Sequence, residues 1–145
     1  MINQATTYQL YFNLADPLPV GSKVRILFPP EVVLSASFQF TADSGIDQGA
    51  TLTLSQRNNA TGFSKQSLDI TGGITAYVVE NDGFLFEISG ITNPNSTQTS
   101  SSFEFFTFDS SMYPVDELVT GLTVQATYGP LKSVKVAPID QLGVL

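Results

Sequence analysis

The sequence predicts an all-β protein: an antiparallel Ig-like or jelly-roll β-sandwich of about eight to ten strands. Three observations carry that reading. Apolar residues recur at every second position through most of the chain, the period of a half-buried strand. Clusters of Gly, Pro, Asn and Ser interrupt the alternation at the spacing of short strands joined by turns. No segment shows sustained helical periodicity, and "PVDELVTG" has room for one helical turn at most.

The elements follow in chain order. "TYQLYFNL" puts Tyr8, Leu10, Phe12 and Leu14 on one face and Gln9, Tyr11 and Asn13 on the other. "PLPVGS" is a turn, because Pro17 and Pro19 fix φ and Gly21 permits an unusual backbone. "KVRILF" buries Val24, Ile26 and Phe28 and is stopped by Pro29-Pro30. "SFQFTAD" contributes Phe38 and Phe40, "ATLTLSQ" Leu52 and Leu54, and "SLDIT" Leu68 and Ile70. Gly72-Gly73 breaks the pattern, and "ITAYVV" reads as a weak strand or a covering loop. Asn81-Asp82-Gly83 is a tight-turn signal ahead of "FLFEISGI", which buries Phe84, Phe86 and Ile88. A polar connection follows. "SFEFFTFD" then alternates Phe103, Phe105 and Thr107 against Phe106 and Phe108. Both of its faces are partly apolar, which places it centrally or against a partner. "GLTVQATY", with Leu122, Val124, Ala126 and Tyr128, and "LKSVKVAP", with Val134 and Val136, complete the strands.

The 145 residues suit one domain, assigned to 1–137, with 138–145 as a separate C-terminal strand. Charged residues are only 13%, so solubility rests on Asn, Gln and the 30 Ser and Thr, as is common on secreted β-proteins. A net charge of −7 with six Lys and Arg argues against nucleic acid and against an anionic membrane surface. The chain has no Cys, no His and no Trp. Thiolate and zinc–thiolate chemistry, the usual general base, and the preferred sugar-stacking residue are therefore missing. "MINQATTYQL" has neither the basic start nor the apolar core of a signal peptide, so a secretion signal would lie outside this sequence. No apolar run reaches the roughly 18 residues that suggest a membrane span.

The segment "PIDQLGVL" is apolar for an exposed end, with Ile139, Leu142, Val144 and Leu145. It joins smoothly onto a copy of the opening strands. One reading is a strand donated to the next module, which would complete an edge there and build a head-to-tail chain. The other is a strand packed on its own domain.

Three stretches carry a resemblance: "ATTYQLYFNLADPLPVGSKVRILFPPE", "ISGITNPNSTQTSSSFEFFTFD" and, more weakly, "LTVQATYGPLKSVKVAP". Together they resemble the tandem Ig-like sandwich repeats of very large cell-surface and filament proteins of protists and some microbes. The shared places are Phe28-Pro29, Ile91-Thr92-Asn93-Pro94, Ser102-Phe103 and Thr107-Phe108-Asp109. The resemblance covers about two-thirds of the chain and leaves Val32 to Gln66 unmatched. It implies an extracellular structural module and brings no catalytic residues with it.

Asn59 ("NAT") and Asn95 ("NST") fit the N-glycosylation pattern and fall in predicted loops, although a chain this rich in Asn, Ser and Thr also makes such triplets by chance. The Ser/Thr run 96–102 suits either O-glycosylation or a plain solvated loop. "ADSGID" and "DSSMYPVDE" bring carboxylates together, but with too few ligands for a defined calcium loop; turn capping by Asp is the simpler account. No "G-x-S-x-G" elbow, phosphate loop or fixed acid pair is present. Tyr11, Tyr77, Phe106 and Phe108 are candidate exposed aromatics, for stacking sugars or for contact between subunits. The expectation is a glycosylated structural module that polymerises with like modules, without enzymatic activity, cofactor or metal. The alternative is a carbohydrate-binding or adhesive module.

Overall fold

The structure, a computed structural model, describes residues 1–58 and 64–129. Asn59, the predicted strand 131–138 and the apolar residues Ile139, Leu142, Val144 and Leu145 lie outside the described residues.

The described residues are all-β and form two antiparallel sheets packed as a sandwich. Their eight strands are β1 (Ala5–Asn13), β2 (Lys23–Leu27), β3 (Val33–Ser44), β4 (Thr51–Asn58), β5 (Ser64–Thr71), β6 (Gly83–Thr92), β7 (Glu104–Phe108) and β8 (Pro114–Leu118). One sheet has the order β1-β6-β3 and the other β4-β5-β2-β7-β8. Only β4–β5 and β7–β8 are hairpins, so every other connection crosses between sheets.

Alternation places the core as the sequence predicts. Leu10 and Leu14 of the first strand region, Val24, Ile26 and Phe28, Leu68 and Ile70, and Phe84, Phe86 and Ile88 are all buried. Tyr8 packs against this core, while Gln9, Tyr11 and Asn13 face solvent. Aromatic pairs pack along each sheet, Phe28 edge-on to Phe103 at 5.5 Å beside β2 and β7 and Phe40 against Phe86 at 5.4 Å on β3 and β6, while Tyr8 meets Phe103 across the sandwich at 6.2 Å. The strand 104–108 lies centrally, between β2 and β8; Phe105 faces the core, and Phe106 and Phe108 lie half-buried on the outer face, where they stack on each other.

Two segments differ from the expected pattern. "PVDEL" is β8 and not a helical turn. Asp109 Oδ1 accepts from the backbone N–H groups of Ser111 and Tyr113, which closes a hairpin and lays Leu118 and Glu117 against Phe105 and Phe106. "GLTVQATY" is not a strand. It meets residues 97–103 through one isolated bridge, Thr99 to Gln125, two backbone bonds, from Ser100 N to Val124 O and from Phe103 N to Leu122 O, and side-chain bonds that include the hydroxyls of Ser100 and Ser102. "ITAYVV" is a covering loop that buries Ile74 and Val78, with Val78 bridged to Leu18.

Candidate interaction surfaces

The polar connection 93–103 carries the chain from β6 in one sheet to β7 in the other, which explains its length. Its hydroxyls are turned to structural use. Ser100 is buried; its Oγ accepts from Val124 N at 3.0 Å and donates to Ser101 O at 2.8 Å. Ser102 Oγ accepts from Leu122 N at 3.2 Å and donates to Phe103 O. Ser101 donates from both N and Oγ to Glu31 Oε1. Backbone bonds from Ser100 N to Val124 O and from Phe103 N to Leu122 O complete the seam. The run is thus a laced strip against 122–125, with hydroxyls standing in for a regular ladder. Asn95 sits on its exposed bend.

The sheet edges are treated unequally. On β3, Gln48 accepts from Ala42 N at 2.7 Å and donates to Phe40 O at 2.9 Å. Gln66 likewise accepts from Leu34 N at 2.6 Å and donates to Leu34 O at 2.8 Å. Each carboxamide imitates a neighbouring strand and blocks that edge from pairing with another chain. The outer edge of β1 has no such cover among the described residues: no described strand pairs with it. Beside it runs a groove of about 310 Å³ lined by Tyr8, Leu10, Phe103, Leu122 and Val124. Neither glutamine stands out in the sequence, because their partners are fixed only once the sheets pack.

The solvent face of the five-stranded sheet collects the four described cations, Lys23, Arg25, Arg57 and Lys65. Arg25 forms a two-pronged pair with Asp69, at 2.7 and 3.0 Å, and Arg57 joins the same carboxylate at 3.2 Å. Lys65 is paired with Glu104. Phe106 and Phe108 stack at 6.3 Å, and the Arg25 guanidinium lies over the Phe108 ring at 5.1 Å. Both rings are half-buried, so this face is a self-satisfied charge and ring network.

Asp69 titrates low because of that network. Burial pushes its carboxyl up, but the hydrogen bond and charge of Arg25, the charge of Arg57 and the Ser67 hydroxyl together outweigh burial and leave it below the usual carboxylate range. A folded-state value below the unfolded one contributes stability above the unfolded value, about pH 3.9, and loses it as pH falls through the folded value. Asp69→Asn is therefore expected to flatten the acid limb. Urea melts from about pH 5 down to pH 2 will show a smaller loss of stability in the variant than in the parent. Equal slopes would show that Asp69 is not linked to folding.

Two further acids follow turn chemistry. Asp47 Oδ1 accepts from Gly49 N at 2.7 Å, as Asp109 does in its hairpin. Asp47 belongs to a wide cleft of about 640 Å³ on the solvent face of the three-stranded sheet. The exposed rings of Tyr11 and Tyr77 both line it, with Asn81, Asp82 and Leu85. Among the described residues, no helix is long and apolar enough to cross a membrane, and no group of three or more acids is placed to hold a metal ion. In comparisons with known proteins, the chain matches no family model and no curated protein.

Proposed function

We propose that this sandwich is a structural module of an extracellular filament or cell-surface array. In this reading modules join head to tail by strand complementation, carry glycans and catalyse no reaction. The observation behind it is the contrast between edges. β3 is plugged by Gln48 and Gln66, whereas no described strand pairs with the outer edge of β1, which runs beside an apolar groove. An open edge next to an apolar trough invites an added strand, since backbone pairing and side-chain burial are gained together. Segment 138–145, with Ile139, Leu142, Val144 and Leu145, has the composition to supply that strand to a neighbour.

The surface agrees with an extracellular setting: it is sparsely charged and rich in hydroxyl and amide groups. Asn95 lies exposed on a bend with Ser96 and Thr97 following, open to a glycosylating enzyme. Asn59 is the second proposed glycan position. Expression in a secreting eukaryotic host is expected to yield peptides spanning Asn95 with added hexose and N-acetylhexosamine mass; only unmodified peptides would remove the glycan from the proposal.

The assembly is tested by deleting 139–145. Full-length protein is expected to form regular fibres in negative stain, while the deletion variant keeps its circular dichroism spectrum and runs as a monomer. Fibres of unchanged spacing from the truncated chain would refute donation by this segment. A monomeric full-length chain would mean that modules do not join through it.

A further inference from the structure

The cleft holding Tyr11 and Tyr77 has a construction that strand complementation does not use. Its floor is a row across three strands, Tyr11 on β1, Leu85 on β6 and Ser44 on β3. Its walls are the loop after β3, which supplies Asp47, and the loop 72–82, which supplies Tyr77, Asn81 and Asp82. The two tyrosines are 65% and 59% exposed, so their ring faces are available to a ligand. The Asn81 and Asp82 side chains make no hydrogen bond with another described residue, while their backbones fix the loop through Asn81 N to Leu14 O and Leu14 N to Asp82 O. The cleft is therefore a held shape with unspent polar groups.

We propose that this cleft binds a neutral oligosaccharide. Pyranose rings with equatorial hydroxyls present flat C–H faces that stack on tyrosine, and their rims are hydroxyl donors suited to carboxylate and amide oxygens. Asn81 and Asp82 offer such oxygens in the same cleft as the two rings. The carboxylates and the net charge of −7 disfavour an anionic ligand. A peptide strand is disfavoured because the cleft lies on the face of the sheet, where the backbone groups are already paired along β1, β6 and β3.

The saccharide has two possible sources. One is a free or cell-surface polysaccharide. The other is the Asn95 glycan of a neighbouring copy. β6 starts at the cleft with Gly83 and ends with Thr92 near Asn95, so cleft and glycan position lie at opposite ends of one sheet, about 30 Å apart at strand rise. That arrangement lets a head-to-tail neighbour present its glycan to the cleft.

The test uses unglycosylated full-length chain from bacteria, titrated calorimetrically with cellohexaose and, separately, with the free N-glycan Man5GlcNAc2. A saturable isotherm is expected for at least one. Cellohexaose alone assigns an external polysaccharide; Man5GlcNAc2 assigns the neighbour's glycan. Tyr11→Ala and Tyr77→Ala are each expected to weaken binding about tenfold, and Tyr11→Phe and Tyr77→Phe to keep it, since stacking needs the ring and not the hydroxyl. Both positions are exposed, so the variants should retain the parent fold, checked by circular dichroism. The proposal is overturned if neither saccharide binds, if the alanine variants bind like the parent, or if only a cationic peptide such as pentalysine is taken up. None of these outcomes depends on whether modules polymerise.

Discussion

Phe103→Ala is expected to lower the unfolding free energy by about 3–5 kcal/mol, the cost of emptying a large aromatic site in a packed core. Phe103 is 1% exposed. Its ring meets Phe28 edge-on at 5.5 Å and Tyr8 at 6.2 Å, so it touches residues from both sheets at once. It also stands where the polar connection ends, with its N–H donated to Leu122 O. The laced strip 97–103 and the segment 122–125 are thus anchored through one side chain. Collapse around the missing ring is limited, because Tyr8 is held in the β1–β6 ladder and Phe28, just past β2, is held by its backbone bond to Gln66 O. Against a typical total of about 5–15 kcal/mol, the loss is large enough to read directly as a shift in the urea midpoint. A shift worth less than about 1 kcal/mol would mean that the seam relaxes freely and that Phe103 is not its anchor. Because Phe103 also walls the β1 groove, the proposed strand complementation predicts that the same variant polymerises poorly even under conditions where it remains folded.

Much of this architecture is written in local pattern. Where one face of a strand is buried, every second residue announces it; β2 with Val24 and Ile26 and β6 with Phe84, Phe86 and Ile88 are the plainest cases. Pattern misleads where a strand is nearly all exposed or where pairing is not by backbone. β8 is mostly solvent-facing, so "PVDEL" has no alternation to read, and its existence depends on the Asp109 cap. "GLTVQATY" alternates well yet forms no regular ladder: Leu122 and Val124 accept from backbone N–H groups across the seam, but their own N–H groups donate to the hydroxyls of Ser102 and Ser100. The surfaces proposed for function were least legible. Gln48 and Gln66 are ordinary polar residues until packing puts them on the edge of β3. Tyr11 and Tyr77 could be flagged singly as exposed rings, but only the pairing of the loop 72–82 with residues 14–21, just past β1, brings them into one cleft with Asp47.

Gly45→Ala is the second substitution with a large expected effect, and it separates two causes of glycine dependence. Gly45 has φ +76, a left-handed conformation that costs an L-residue about 1–2 kcal/mol. A Cβ there would also lie 2.6 Å from Phe84 Cδ1 and 2.7 Å from the backbone oxygen of Gly83. Neither neighbour can yield easily. Phe84 is fully buried, and Gly83 is held opposite Asn13 at the start of the β1–β6 ladder. Overpacking of this kind adds about 1–3 kcal/mol, for a total of about 2–5 kcal/mol. Gly72 provides the control: its φ is +70, but nothing lies within 4 Å of the added Cβ. Gly72→Ala should therefore lose only the conformational part, about 1–2 kcal/mol. Parallel thermal and urea melts of the two variants measure the difference. If both lose the same amount, the close approach of the 44–47 loop to β6 is not what Gly45 protects. If Gly45→Ala loses more, as expected, the glycine is required so that this loop can close against the strand and shape the wall of the tyrosine cleft, which it lines.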